Sequence, residues 1–338
     1  MSDLLTNLQY QNLTATVTKF RWPQFWFVNQ IPTEPVDGTI AQWDIEVPVI
    51  DMNTDFTTLN GEAQPTRMGA YGTRTQKMPI TFKFITMDPG ILMQLRAIGQ
   101  IGNASRAQRG QEYVAREQMA IQRRFGSYLD EYLISQALTG TLNITVNGQA
   151  VSINYGLPSS HTPTYGNGAW SNPSTDLTKD LTAWKRLIRK DTGLEPRWAI
   201  CNQTVMNMLL NNSNIKSYMQ YGSGVEIASS GQIVKYHGLQ WIVLDHHYAQ
   251  ANAVDRFDTP FIADNQLFIV PDITPEWITM QKGTVIIPNA AHNDTVEVNG
   301  PVMWGVVTDN PTGLTLYYKY ARLPAIKLPN AIVYAQVA

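Results

Sequence analysis

Apolar positions in the first part of the chain come as an aromatic knot and then as a two-residue alternation. The knot is residues 20–27 (FRWPQFWF), five aromatics around Pro23, followed by the proline-spaced stretch 31–35 (IPTEP). Burying each large apolar side chain is worth about 1.5–3 kcal/mol, so such a cluster left in water invites association. Either its own domain covers it, or it packs on a neighbouring subunit as an extended arm. Further on, Trp43, Ile45, Val47 and Val49 interleave with Asp44, Glu46 and Pro48, the pattern of a half-buried strand with the proline at an edge. A second strand is predicted at residues 80–84 (ITFKF). Between the two, residues 51–77 are polar, rich in Gly, Thr and Asn, and without amphipathic period. Compact domains seldom carry so long a connection unless it binds something. Strand, long loop and strand together read as a protruding hairpin.

Over residues 103–138 the period changes to three and four. Val114, Ile121, Phe125, Tyr128, Leu129, Tyr132 and Leu133 recur at helical steps among Arg116, Glu117, Arg123, Arg124, Asp130 and Glu131. A helix over residues 112–137 is ~40 Å long at 1.5 Å per residue. The usual globular helix has only ~11–12 residues. Gly126 and Ser127 lie inside it, a pairing that bends helices, and Gly140 should end it. Residues 142–155 (LNITVNGQAVSINY) carry Asn147-Gly148 between alternating apolar positions, a strong hairpin signal. A loop with Pro158, Pro163, Gly166, Gly168 and Pro173 follows. Residues 177–191 read as a helix with Leu181, Trp184, Leu187 and Ile188 on one face, stopped by Gly193. Residues 198–201 (WAIC) read as a short buried strand, and 203–210 as a helix capped by Asn202. Strands are expected at 232–236, 241–245, 267–270, 284–287, 314–320 and 331–337.

Composition adds one unusual feature. Charged residues make up 15 % of the 338 residues, against a typical ~25 %. The 25 Lys and Arg against 27 Asp and Glu leave a net charge of −2. That balance argues against a general nucleic-acid groove or a polybasic membrane surface. Asn, Gln, Thr, Ser and Tyr must cover the surface, or much of it is hidden against other chains. The single cysteine, Cys201, excludes an internal disulfide framework and a Cys-based structural zinc site. The first residues lack the basic start and apolar core of a signal peptide, and no stretch reaches the ~18 apolar residues of a membrane span. The chain is expected to begin as a cytosolic protein, with no membrane partner.

Signals for catalysis are weak. There is no Gly-x-Ser-x-Gly elbow, no phosphate loop ending in Gly-Lys-Ser/Thr and no dinucleotide fingerprint after a strand. Asp245, His246 and His247 sit together at a strand end, but adjacent side chains of an extended segment point to opposite faces. Asp245 and His247 share a face without a nearby third ligand, so they read as turn or surface residues. Cys201 ends an apolar run, where a free cysteine serves as a small core residue. Tyr and Trp residues of the C-terminal half read as ordinary sheet residues rather than a sugar cleft. The expectation is a protein that is not an enzyme and binds no cofactor or metal.

Several segments carry a resemblance. Residues 135–140 (SQALTG) run through the hairpin into 151–158 (VSINYGLP), and Trp170, Pro173 and Asp176 follow. Residues 231–245 (GQIVKYHGLQWIVLD) precede Tyr248, then come 264–271 (DNQLFIVP), 322–324 (RLP) and 328–333 (LPNAIV). In order and spacing, from about Trp43 to the end, these resemble the major capsid protein E family of lambda-like tailed phages. The arm before Trp43 departs most from the family's pattern.

The resemblance implies an α+β, HK97-like capsid fold. Residues 1–42 would be an N-terminal arm and 43–86 an extended loop lying over a neighbouring subunit. Residues 87–178 would form a peripheral domain with a spine helix over 104–138 and the hairpin 141–155. Residues 179–300 would be the axial domain, and 301–338 would return to the peripheral one. It further implies a homo-oligomer of hexamers and pentamers closing an icosahedral virion shell around double-stranded DNA, contacted non-specifically. Expected partners are a separate scaffolding protein, a portal and a decoration protein, with assembly in the host cytoplasm and expansion during packaging. Phe20, Trp22, Phe25, Trp26, Arg67, Arg74 and Lys77 are expected at contacts between subunits, and Gly126 with Ser127 at a bend in the spine helix. No cross-link through Lys77 is expected. The alternatives are a nanocompartment shell of the encapsulin type and, from another class, a β-rich hydrolase or sugar-binding tail protein.

Overall fold

The computed structural model describes residues 25–47, 70–87, 106–146, 148–166, 168–220, 225–228, 232–248, 259–289, 294–309 and 312–338. The first elements are α1 (Trp26–Gln30), β1 (Thr33–Val36), β2 (Ile40–Val47), β3 (Ala70–Lys77) and β4 (Ile80–Met87). A long helix follows as α2 (Arg106–Ile121), a π-helical stretch (Gln122–Ser127) and α3 (Tyr128–Ala137). Then come β5 (Thr141–Val146), β6 (Gln149–Asn154), α4 (Leu177–Thr192), β7 (Pro196–Cys201), α5 (Gln203–Asn211) and α6 (Ser213–Gln220). The next strands are β8 (Val225–Ile227), β9 (Ile233–Tyr236), β10 (Leu239–Val243), β11 (His247–Tyr248), β12 (Thr259–Pro260) and β13 (Gln266–Pro271). The last are β14 (Ile278–Asn289), β15 (Asp294–Asn299), β16 (Val302–Asp309), β17 (Thr312–Ile326) and β18 (Val333–Gln336). The chain divides into two compact units: Met1–Gln42 with Thr75–Leu133 and Thr279–Ala325, and Trp43–Arg74 with Ile134–Ile278 and Ile326–Ala338.

The second unit is built on a six-stranded mixed sheet in the order β18-β13-β7-β10-β9-β8. β7 and β10 run parallel, while β13 is antiparallel to both β7 and β18. On one face Ala199, Cys201, Leu267, Ile269, Val333 and Ala335 pack with Leu181, Trp184 and Ile188 of α4 and Val205, Met206 and Leu209 of α5. The alternate residues Ile200 and Phe268 are also fully buried, and Phe268 stacks on Tyr334 with ring centroids 5.4 Å apart. A sheet covered on both faces reads as an apolar run rather than an alternation, which is what 198–201 and 267–270 look like in the sequence. Side chains fix the helix ends. Asp176 accepts from the Thr178 and Lys179 amides at the start of α4, and Gly193 closes it with φ 73°. Asn202 accepts from the Val205 amide at 3.0 Å. The β5–β6 hairpin forms as the Asn-Gly signal predicts, with Gly148 at φ 81°; Asn147 lies outside the described residues.

The first unit holds the other six-stranded sheet, ordered β1-β14-β17-β16, with β15 paired to β14 and β4 to β17. Alternation along β17 sends Leu316, Tyr318 and Tyr320 inward, where they join Met303 of β16 and Val114 and Ile121 of α2 in a small core. Gly283 of β14 admits the close approach of the β1–β2 turn. A Cβ there would lie 2.7 Å from Met78 Sδ and 2.8 Å from the Gly38 carbonyl oxygen.

Two sequence expectations are corrected here. β2 does not pair with β4. Its partner is β3, residues 70–77, which the polar composition had placed in a loop, while β4 joins the sheet of the first unit. Strand β3 alternates around threonines whose side chains tolerate solvent, so it carries no apolar period, and Thr73 Oγ1 bonds Asp44 Oδ1 across the pair at 2.6 Å. The helix predicted over residues 112–137 begins earlier, at Arg106. Helix α6 and strand β16 were not foreseen at all. In α6 only Ile215 is buried, too little to set a period.

Candidate assembly surface

The face of the first unit's sheet that turns away from α2 is aromatic and open. Alternation along β4 puts Ile80, Phe82 and Phe84 on that face, 41 %, 54 % and 65 % exposed. Pairing register then lines Phe84 with Tyr317 of β17 and Trp304 of β16 in one row across three strands. The Trp304 and Tyr317 rings stack at 5.3 Å, and Phe84 meets Tyr317 at 5.9 Å. Lys319 lies over the Phe82 ring with Nζ 5.8 Å from its centre and donates to the Ile286 carbonyl at 2.9 Å. Ile286, 54 % exposed, continues the patch, and a small cleft beside it is lined by Ile80, Thr284, Glu297 and Lys319. Contiguous apolar surface of this kind on a chain marks an interaction site.

The aromatic segment at the N-terminus is divided. Phe25 and Phe27 are buried in the first unit, Phe25 edge-on to Tyr128 at 5.0 Å. Phe25 is therefore covered by its own chain and does not wait for a second copy, which answers for this residue the alternative left open by the sequence. Trp26 is only half-buried. Phe20, Trp22 and Arg67 lie outside the described residues. The buried carboxylate of Glu131 in α3 holds this segment, accepting from the Phe27 and Val28 amides at 3.2 and 3.0 Å. Burial raises the Glu131 carboxyl to about 7, against the opposing pull of those amides.

In the second unit Arg74 is exposed and donates to the Asn154 carbonyl at 2.6 Å, tying β3 to the β5–β6 hairpin. Lys77, at the end of β3, is exposed. Gly126 and Ser127 do not break the long helix. They close its π-helical stretch, both buried, and a Cβ at Gly126 would lie 2.6 Å from Gln122 Oε1. Arg322 of β17 reaches the same place, donating through Nη2 to the Phe125 carbonyl and lying over the Tyr320 ring at 4.3 Å. Its Nε stands 2.9 Å from Asp130 Oδ1, within ion-pair reach but out of line for a hydrogen bond. Burial pushes the Asp130 carboxyl up, and the Arg322 charge opposes that shift. The sequence reading missed this pair, because a charged side chain inside a strand gives no sign that its partner lies in a helix far along the chain.

Residues that could do chemistry are dispersed. His247 Nδ1 contacts the Asp245 carbonyl at 3.2 Å, and His246 faces Phe261. Cys201 is fully buried, and burial pushes its thiol up. Among the described residues no three His, Cys, Asp or Glu side chains gather as a metal site would need, and no helix is long and apolar enough to cross a membrane.

Comparison with known proteins points one way. The sequence matches the family described as phage major capsid protein E over residues 12–337. No curated protein matches it. Among solved structures, a candidate capsid protein of a prophage of E. coli CFT073 superposes with a TM-score of 0.62 at 14 % identity, covering 98 % of this chain and 99 % of that one. The capsid of Cyanophage P-SCSP1u gives a TM-score of 0.52 at 12 % identity over 91 % of this chain and 86 % of that one. The SrpI encapsulin of Synechococcus elongatus PCC 7942 gives 0.51 at 10 % identity over 94 % and 88 %.

Proposed function

The chain belongs to the phage major capsid protein E family and is a shell-forming capsid protein with the α+β, HK97-like fold, and on that footing we propose how its copies come together. They assemble as hexamers and pentamers into an icosahedral shell around double-stranded DNA. A scaffolding protein, a portal and a decoration protein are its partners, and assembly takes place in the host cytoplasm. Residues 1–42 act as the arm and 43–86 as the loop laid over a neighbouring subunit. The spine helix 104–138 and the hairpin 141–155 belong to the peripheral region 87–178, residues 179–300 surround the capsomer centre as the axial domain, and 301–338 complete the peripheral region. Phe20, Trp22, Trp26, Arg67, Arg74 and Lys77 contribute to contacts between copies. Gly126 and Ser127, in the π-helical stretch, give the spine helix its bend before expansion. The role is structural, and no catalytic step is assigned to Cys201 or the histidines.

The observation that carries this reading is the half-covered sheet of the first unit, whose Phe82 and Phe84 remain more than half exposed in the single chain. Electron microscopy of the full-length chain, expressed alone and with its scaffolding protein, tests it. Closed shells with five- and sixfold capsomers are expected. A well-behaved single copy that forms no large assembly, and that hydrolyses a substrate or binds a glycan, overturns it. A closed shell filled with an enzyme cargo in place of nucleic acid overturns it in favour of the nanocompartment.

A further inference from the structure

The chain is nearly neutral, yet its cations are not evenly spread. Five of its 25 Lys and Arg lie in the sixteen residues of α4: Lys179, Lys185, Arg186, Arg189 and Lys190. The helix buries Leu177, Asp180, Leu181, Trp184 and Ile188 against the sheet of the second unit, which leaves the basic residues for the other side. An open groove follows that side, lined by Lys179, Arg186 and Lys190 with Thr182 between them and Asp176 at one end. Lys179, Arg186 and Lys190 are exposed, and at 1.5 Å per residue they mark out a line of ~16 Å.

Among the described residues, the acids near this line have partners of their own. Asp180 is buried and accepts from the Trp170 indole at 3.0 Å. Asp191 faces the buried His161 at 2.9 Å. Glu195 is held by Arg189, and Asp176 is spent on the first amides of the helix. Lys185, whose Nζ donates to the His237 carbonyl at 2.6 Å, is shifted down by burial and then by Arg189, with Glu195 opposing. His237, bonded to Thr182 at 2.9 Å, is shifted down by burial and then by Lys185 and Arg189. Three exposed cations against the one carboxylate of Asp176 leave the groove with an excess of positive charge, and such a surface favours a polyanion.

We infer that the exposed line Lys179, Arg186 and Lys190 on α4 is a contact for the phosphate backbone of double-stranded nucleic acid, made without reading base sequence. The inference rests on the reading of the chain as a wall around DNA and adds to it the place of contact. A duplex presents one negative charge per ~1.7 Å of its axis, so a straight line of three cations meets phosphates in any register. An acidic protein segment would have to match the three positions. Lys and Arg on flexible stems, with no aromatic or amide side chain among them to reach base edges, suit backbone contact.

The test is binding of a short fluorescent DNA duplex to the purified full-length chain, followed by anisotropy between about 50 and 200 mM salt. The variant Lys179→Gln/Arg186→Gln/Lys190→Gln changes only solvated side chains, and its circular dichroism should match the parent. Three lost phosphate contacts should flatten the slope of log K against log salt by ~2–3, with at least about a tenfold loss of affinity at the lowest salt. A control that removes the same charge elsewhere, Lys83→Gln/Arg116→Gln/Lys216→Gln, should keep the parental slope. An unchanged slope in the first variant, or an equal loss in the control, overturns the inference. So does tighter binding of poly-L-glutamate through the same three residues, which points to an acidic protein instead. Electron microscopy of the same samples separates this from the capsid reading: shells without duplex binding sink the inference alone, and duplex binding through these residues without shells sinks the capsid reading alone.

Discussion

The two units solve the same problem in opposite ways. In the second, the middle strands of the six-stranded sheet are covered on both faces, with Ile200, Cys201, Phe268 and Ile269 all fully buried, and apolar exposure is confined to Ile227 and Val234 of β8 and β9 at one edge. In the first, one face of the sheet meets α2, while the other carries Phe82, Phe84 and Ile286 into solvent. The second unit keeps the middle of its sheet out of solvent, and the first leaves an aromatic face open. For a shell-forming protein that division of labour is sensible: one part folds regardless of neighbours, and the other makes association favourable through apolar area.

The contrast can be broken at several points, starting with the largest expected effect. Arg322 is buried in the first unit against Asp130, Tyr320 and the Phe125 carbonyl, so Arg322→Ala strands a buried carboxylate and should cost about 3–5 kcal/mol. Chemical denaturation of the full-length chain should show a loss of that size; an unchanged midpoint would mean that the buried pair contributes nothing to stability.

Acidity acts next. The folded Glu131 carboxyl sits at about 7, above its ordinary 4.5, so the folded state binds this proton more firmly than the unfolded one. Its contribution is greatest below pH 4.5, falls as pH rises through about 7 and is level above, a span on the order of 3 kcal/mol. Melting temperatures measured from about pH 5 to pH 8 should fall, and Glu131→Gln should flatten that dependence. A wild-type profile as flat as the variant's would show that the clamp on the Phe27 and Val28 amides is not proton-sensitive.

Gly126→Ala is expected to have a smaller effect on stability. Alanine favours a helix by about 1 kcal/mol over glycine, but here its Cβ must push aside the end of the Gln122 side chain, 2.6 Å away. The two terms nearly offset, so the unfolding midpoint should move by no more than about 1 kcal/mol in equivalent, while the spine is biased towards its straight form. Immature particles of this variant with an unaltered spine in cryo-electron microscopy would remove the bend from the proposal.

Phe82→Ser/Phe84→Ser acts mainly on assembly, because both side chains are more than half exposed in the single chain. Loss of their contacts with Trp304 and Tyr317 should cost unassembled protein only about 1 kcal/mol in its melting, alongside a loss of closed particles by light scattering. Normal shells from this variant would place the contact between copies elsewhere.

How much of this was legible beforehand differed by region. The helix α4 with its Asp176 and Gly193 ends, the Asn202 cap, the hairpin at Gly148 and the buried WAIC strand all follow from local patterns, because each is fixed by residues within a few positions of one another. The pairing of β2 with β3 was not legible, since a polar strand exposed to solvent has no period to betray it. Of the candidate contact residues, the sequence marked the aromatic segment but could not say that Phe25 is covered by Tyr128 while Trp26 is left half-open. Phe82 and Phe84 were visible only as a strand, and nothing local told which side of it would lack a partner.

The sequence by itself determined the long helix, the capped helices and the sparing use of charge, because these depend on composition and on short-range periodicity, while the class of protein came from the order of motifs that resemble the capsid family. Only the tertiary structure decided that cations dispersed along α4 form one line with its acids engaged elsewhere. It alone brought Arg322 to the π-helical stretch and opened one face of a sheet. Each of these joins residues through space that the chain keeps apart, and side-chain direction, burial and counter-charge are properties of that juxtaposition rather than of any segment.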